Sequence, residues 1–300
     1  MKKLNIAIIG LGNIGSYLFK YLNDNKKILT EKNNSIPLIT YVSAKNRNRK
    51  RNINIKKNQW LDNYLDATKH KNVDLIIELI GGAEGPAKKL VFNALKNGKH
   101  VVTANKALIA KYGDTLAKIA EKNNVNLEFE AAVCGGVPII RTLKEGLIAN
   151  KISKIYGIFN GTSNYILSTM DKHNKNFDDV LKNAKKMGYS ETNPSADLNG
   201  DDVASKLKIL SSLCFNSFLN NKIYVEGIKD IDKNDIDNAN KLGYKIKLLG
   251  FAELINGRIY QRVHPALIKK TSYVAGIDGV LNAVIIDGKP SGQTIIQGEG

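Results

Sequence analysis

Over roughly the first 130 residues, short apolar runs alternate with stretches whose apolar positions recur at helical spacing. The runs at 4–9, 38–43, 73–80, 100–103 and 125–130 read as strands. Between them, Ile14, Leu18, Tyr21 and Leu22 share one helical face. Leu90, Val91, Ala94 and Leu95 share another, and Gly98 closes that helix. Strands that alternate with helices predict βαβ units, and hence an α/β fold with a doubly wound parallel sheet of the Rossmann type over 1–137. Past residue 138 the rhythm changes. A strand at 153–159 meets a turn, Asn160-Gly161-Thr162-Ser163-Asn164, that feeds a helix. Helical patterns follow at 178–186 and 201–215, then strand-like runs at 246–255 and 258–263. That mixture predicts a second, α+β domain over 138–300.

At 43% hydrophobic residues, the 300-residue chain is long enough for two cores, and no run approaches the roughly 18 apolar residues of a membrane span. A strand begins directly after Met1-Lys2-Lys3, which leaves no room for a targeting peptide and makes the cytoplasm the expected compartment. Two cysteines, Cys134 and Cys214, form no disulfide framework. The formal charge of +17 raises a nucleic-acid partner. The excess is mostly lysine, with six arginines, and is spread along a chain rich in asparagine and isoleucine. Neither a nucleic-acid nor a membrane partner is therefore expected. The densest cluster, Lys45, Arg47, Arg49, Lys50, Arg51, Lys56 and Lys57, reads as a solvated loop or as a local partner of a phosphorylated cofactor.

Gly10-Leu11-Gly12-Asn13-Ile14-Gly15 lies between a predicted strand and a predicted helix. Its first glycine permits a tight turn, its second lets the backbone approach a pyrophosphate, and its third allows close helix packing. The helix start then offers unpaired N–H groups to the phosphates. In NAD sites an acid about 20 residues further on binds the ribose 2′-hydroxyl. Here that region reads Ser43-Ala44-Lys45-Asn46-Arg47, so Lys45 and Arg47 favour NADP(H) over NAD(H). Lys106 follows the strand that ends at Thr103, where ligands of open α/β sheets bind. Tyr189, Glu191, Asp197, Asp202 and Lys206 make a carboxylate-rich stretch running into a helix. Asp202 and Lys206, one turn apart, read either as a surface ion pair or as a polar pair at a cleft rim.

In order, the stretches GLGNIG, ELIGG, HVVTANKALIA, EAAVCGGVPIIRTL, GIFNGTSNYIL and GYSETNPSADLNGDDVASKLKIL cover nearly the whole chain. Together they resemble homoserine dehydrogenases. The resemblance implies NAD(P)-dependent interconversion of L-homoserine and L-aspartate 4-semialdehyde, with 1–137 binding the dinucleotide and 138–300 binding substrate and forming a homodimer. It implies proton exchange by Lys206, orientation of that lysine or substrate binding by Asp202, and a substrate-side or nicotinamide-side contact from Lys106, with a share in the acid role. Glu191 would take the substrate ammonium, with Asp197, Tyr189, Gly161 and Thr162 lining the pocket. The dinucleotide would meet Gly10, Gly12, Asn13, Ile14, Gly15, Gly81 and Thr103. A monovalent cation such as Na+ would sit on Glu130, Val133, Gly135 and Val137, mostly through backbone carbonyls. A buried ammonium suits the reaction, because it stabilises a developing alkoxide and can give it a proton.

The sequence departs from the family at Gly298-Glu299-Gly300, which look like the opening of a glycine-rich motif that normally continues, so a chain cut short is expected. A ligand-sensing ACT domain and an aspartate kinase domain, carried by some relatives, have no counterpart in these residues. Two rivals remain. One is a phosphorylating semialdehyde dehydrogenase with Cys134 as nucleophile, which would need a positioned base. The other is a non-catalytic dinucleotide sensor or basic nucleic-acid binder.

Overall fold

The computed structural model describes residues 1–190, 193–216 and 223–300, in two units, Met1–Ala132 and Val133–Gly300. In the first unit β1 (Lys2–Ile9), α1 (Asn13–Asp24), α2 (Lys26–Asn33), β2 (Ser35–Ser43), β3 (Leu75–Glu78), α3 (Pro86–Lys96), β4 (His100–Thr103), α4 (Lys106–Lys122) and β5 (Leu127–Glu128) follow one another. The strands form one parallel sheet in the order β2-β1-β3-β4-β5. A parallel sheet covered on both faces demands continuous apolar strands. Ile6, Ala7, Ile8 and Ile9 are accordingly all buried, as are Ile76 and Ile77 of β3. Pro86 opens α3 at a position where a missing N–H costs nothing, and Leu90, Val91, Ala94 and Leu95 are fully enclosed.

Two strands are shorter than their apolar runs. Past Glu78, the N–H of Ile80 turns back to the Glu78 carboxylate and leaves the ladder, which ends β3. The 125–130 run pairs only at Leu127 and Glu128, opposite Val101 and Val102, before a 3-10 turn at Glu130–Ala132. Helix α2 has no buried residue, so no apolar stripe announced it. The chain crosses from β2 to β3 on the other side of β1. The carboxyl ends of β1 and β3 therefore flank the point where strand order reverses, the usual ligand crevice of such sheets.

In the second unit, α5 (Ile139–Arg141) runs into a π-helical turn at Thr142–Gly146. There follow β6 (Lys151–Ile158), α6 (Gly161–His173), α7 (Phe177–Lys186), α8 (Ser195–Asn199), α9 (Asp201–Phe215), β7 (Tyr224–Val225), α10 (Lys233–Lys241), β8 (Tyr244–Ile255), β9 (Arg258–Lys269), β10 (Leu281–Lys289) and β11 (Gly292–Glu299). Their sheet has the order β11-β10-β6-β8-β9-β7, antiparallel except where β7 runs with β9. Asn256 and Gly257 both have positive φ, 49° and 76°, as a two-residue hairpin turn requires, and they set Ile255 opposite Arg258. Strand β9 outlasts the predicted 258–263 and passes through Pro265. β7 covers only Arg262 and Val263, so β9 is an edge strand at the proline, where the missing donor is tolerated. Phe159 is fully buried over Gly250, where a Cβ would lie 2.6 Å from its ring.

Candidate active site

At the carboxyl edge of the parallel sheet, the three motif glycines differ in what surrounds them. Gly10 has φ +108°, and a Cβ there or on Gly15 would collide with backbone oxygens, of Leu79 and Gly10 respectively. Gly12 is the opposite case. A Cβ there would meet nothing within 4 Å, so this flank of the turn is open to a ligand. Gly12 also caps α1 without a side chain, and the first turn, with Asn13 and Ile14, holds no acid that would compete with an anion. The residues present fit a dinucleotide pyrophosphate.

Beyond β2, Lys45 is exposed, and Arg47 pairs with Asp62 at 2.8 Å. Asp62 is 89% exposed, so the pair is weak and Arg47 is released at little cost. Arg51 is turned inward. Its Nε donates to the Leu11 carbonyl at 3.0 Å and its terminal nitrogens to the carbonyls of Asn46, Arg47 and Arg49, which ties the glycine turn to the basic loop. Burial, reinforced by Arg49, lowers the Arg51 pKa. Arg47 and Arg51 both lie over the Trp60 ring, at 5.3 and 5.7 Å. The cluster is thus part brace and part exposed charge, a division invisible in its composition.

The other two strand ends carry a buried polar chain. Glu78 Oε1 accepts from the N–H groups of Ile80 and Gly81, at 2.7 and 3.0 Å, and Oε2 accepts from the Thr103 hydroxyl at 2.5 Å. Thr103 accepts from the Asn105 N–H, while the Asn105 amide donates to the Gly82 carbonyl and accepts from the Leu108 N–H. Asn105 thereby caps α4 and sets Lys106, half-buried, at its first position. Sequence reasoning passed over Glu78 and Asn105. The signal available was a lone acid closing an apolar strand just before two glycines.

In the second unit, the i,i+4 pair is no surface feature. Asp202 is 5% exposed, and its Oδ2 lies 2.8 Å from Lys206 Nζ. Lys206 also donates to the Phe159 carbonyl at 2.6 Å. Asn160 Nδ2 donates to Asp197 at 2.7 Å and to Asp202 at 2.9 Å, while Asn160 Oδ1 caps α6 by accepting from the Ser163 N–H. One amide thus gathers two carboxylates, and Gly200, at φ +88°, makes the bend between α8 and α9 that lets both reach it. In the sequence Asn160 reads only as a turn residue. Gly161 starts α6 so close to the 280 loop that a Cβ would sit 2.7 Å from the Val280 carbonyl oxygen. Thr162 donates to the Tyr189 carbonyl at 2.7 Å. Asp197, Asp202, Lys206, Gly161, Thr162 and Tyr189 therefore gather around the start of α6. Glu191 lies outside the described residues.

Cys134 is 2% exposed, and burial pushes its thiol up to about 11, with the Lys206 charge acting the other way. A thiol in that state is a poor nucleophile, which removes the support for the cysteine rival. In the same segment Cys134 and Gly135 have positive φ, and Val137 donates its N–H to the Cys134 carbonyl at 2.9 Å. No group of three His, Cys, Asp or Glu side chains able to hold a metal occurs among the described residues. Nor is any described helix long and apolar enough to cross a membrane.

Comparison with known proteins extends these observations to the whole chain. Residues 10–130 match the family model for the homoserine dehydrogenase NAD binding domain, and residues 138–300 match the model for homoserine dehydrogenase. The homoserine dehydrogenase of Neisseria gonorrhoeae is 42% identical over 301 residues, which take in 100% of this chain and 69% of that one. A crystal structure of a homoserine dehydrogenase from Thiobacillus denitrificans superposes with a TM-score of 0.92 at 40% identity, covering 100% of this chain and 69% of the other. A hyperthermophilic archaeal homoserine dehydrogenase, solved in complex with NADPH, shares the fold at a TM-score of 0.79 and 24% identity, over 99% of this chain and 92% of that one. The chain belongs to the homoserine dehydrogenase family.

Proposed function

We propose that this chain interconverts L-homoserine and L-aspartate 4-semialdehyde as a cytoplasmic step of threonine, methionine and isoleucine biosynthesis, using NADP(H) in preference to NAD(H) and working as a homodimer. The nicotinamide supplies or takes the hydride when bound. The carrying observation is the Lys206 environment. An ammonium has three N–H groups, and Asp202 and the Phe159 carbonyl take two of them. The third is left for the substrate oxygen, where it stabilises developing alkoxide and exchanges the proton. Asp202 orients Lys206, and Asn160 fixes Asp202. Asp197, Gly161, Thr162 and Tyr189 line the substrate side, and Glu191 takes the substrate ammonium.

Lys106 occupies the first position of α4, where the helix dipole disfavours a cation. That position follows the carboxyl end of β4, where ligands of such sheets bind, which supports a role toward substrate or nicotinamide. Gly10, Gly12, Asn13, Ile14, Gly15, Gly81 and Thr103 hold the dinucleotide, and Lys45 and Arg47 take the 2′-phosphate. A monovalent cation such as Na+ is held by Glu130 and the carbonyls of Val133, Gly135 and Val137, as a structural ion.

The test is absorbance at 340 nm with homoserine and either NADP+ or NAD+, for the parent and Lys206→Ala. The expected result is cofactor reduction by the parent, faster with NADP+, and a fall of roughly 100- to 10,000-fold in kcat for the variant, the usual worth of a positioned proton donor. A folded parent inert with both cofactors, with Na+ present, refutes the assignment.

A further inference from the structure

Glu78 is a fully buried carboxylate whose every neighbour donates to it. The Thr103 hydroxyl accepts from the Asn105 N–H and donates to the carboxylate. Two backbone N–H groups and the Thr103 hydroxyl all donate to it, a set of partners that satisfies the carboxylate form. Among the described residues no lysine or arginine pairs with that carboxylate. A buried charge left without a counter-charge is costly, and holding two loop N–H groups does not require one. An amide oxygen would do that work.

The carboxylate stands at the carboxyl end of β3, between β1 with the glycine turn and β4 with Thr103 and Lys106. A dinucleotide occupies that edge of such a sheet. Its nicotinamide ring is positively charged when oxidised and neutral when reduced. We propose that Glu78 is a charge-balancing residue for the oxidised nicotinamide, so that it tightens binding of NAD(P)+ relative to NAD(P)H. This rests on the nicotinamide chemistry proposed above and adds a residue that sets which redox form the protein holds more firmly.

Glu78→Gln separates charge from shape. A glutamine oxygen can still accept from Ile80 and Gly81, and its NH2 can donate to Thr103, whose hydroxyl then turns elsewhere. Dissociation constants for NADPH are read from its fluorescence, and those for NADP+ by displacement. E78Q is expected to weaken NADP+ on the order of tenfold, the scale of one partly screened charge–charge interaction, and to change NADPH less than about twofold. Equal weakening of both forms, or none, overturns the proposal and leaves Glu78 as a loop anchor. Should E78Q fail to fold, Glu78→Asp withdraws the charge by one methylene and must weaken NADP+ more than NADPH, and an equal effect again overturns it. A folded parent that binds neither form refutes the nicotinamide reading itself, and the Glu78 proposal with it.

Discussion

Replacing Gly12 by alanine leaves the protein as stable as before and weakens its hold on the cofactor. The backbone there, φ −75° and ψ −156°, is open to alanine, and the added Cβ meets no atom within 4 Å. Restricting the unfolded chain stabilises by about 0.4–1 kcal/mol. Alanine is a poorer helix cap than glycine by roughly the same amount. The two cancel to within about 0.5 kcal/mol, so the Tm should move by less than about 2 °C. Gly15→Ala behaves differently, because its Cβ runs into the Gly10 carbonyl and neither backbone has room to give. Overpacking of that kind costs about 1–3 kcal/mol, or about 2–12 °C in Tm. For Gly12→Ala the same crowding of about 1–3 kcal/mol falls on the complex, which raises the cofactor Kd by roughly 5- to 150-fold. Thermal melting and NADPH fluorescence titration of both variants decide the matter. If Gly12→Ala melts as early as Gly15→Ala, or binds NADPH as tightly as the parent, the open flank of the turn is not where the pyrophosphate lies.

Three further outcomes follow from the packing. Asn160→Ala removes a helix cap and the shared donor of two carboxylates, and should lower stability by about 1–3 kcal/mol in urea titrations. Asn160→Asp should be worse still, because it brings a third carboxyl to Asp197 and Asp202. With its thiol pushed up to about 11, Cys134 is ionised in only about one molecule in a thousand at pH 8. A thiol reagent should therefore leave turnover of the folded protein unchanged over minutes, and Cys134→Ala should stay active; rapid inactivation prevented by cofactor would contradict this. Lys247 is buried at 1% exposure, bonded to Asn164, the Ile277 carbonyl and Asp278, and its pKa is lowered by burial. Its folded value lies below the unfolded 10.5, so the unfolded state binds more protons in between, and stability rises with pH across that window. Relative to Lys247→Met, the parent should gain stability from pH 8 to pH 10 in urea unfolding, and a difference that shrinks with pH would contradict the burial argument.

The features legible in the sequence are those with a period or a forced residue type. Strands β1 and β4 and the stripe on α3 show because a two-sided sheet needs unbroken apolar runs and a covering helix needs one apolar face. The glycine turn shows because Gly10 and Gly15 have no room for a side chain. The rest was hidden for identifiable reasons. The brace role of Arg51 depends on the carbonyl of Leu11, 40 positions away. Asn160 looked like any turn asparagine, because its two carboxylate partners come from helices that converge only through the bend at Gly200. Lys247 sits in an alternating strand where a lysine normally marks the wet face, yet its position faces inward and its amine is satisfied by α6 and the 277–278 loop. Pairing of Asp202 with Lys206 was readable from spacing, but its burial was not.

The order of strands in the second sheet also governs when the chemistry comes into being. β8 and β9 meet across a two-residue turn, so their ladder closes among sequence neighbours, on the microsecond scale of hairpins. β6 has no such neighbour. It lies between β8 and β10, with Lys154 opposite Glu253 and Ile158 opposite Ala283, separations of 99 and 125 residues. Closing loops of that length is the slow part of assembling a sheet. Phe159 and Asn160, which hold Lys206 and Asp202, follow β6 directly. The parallel ladder of the first unit, by contrast, finds all its partners by residue 128. During synthesis the chain can therefore complete the sheet that carries the glycine turn well before β10 has left the ribosome, and so before Lys206 and Asp202, the proposed proton-transfer pair, are set in place.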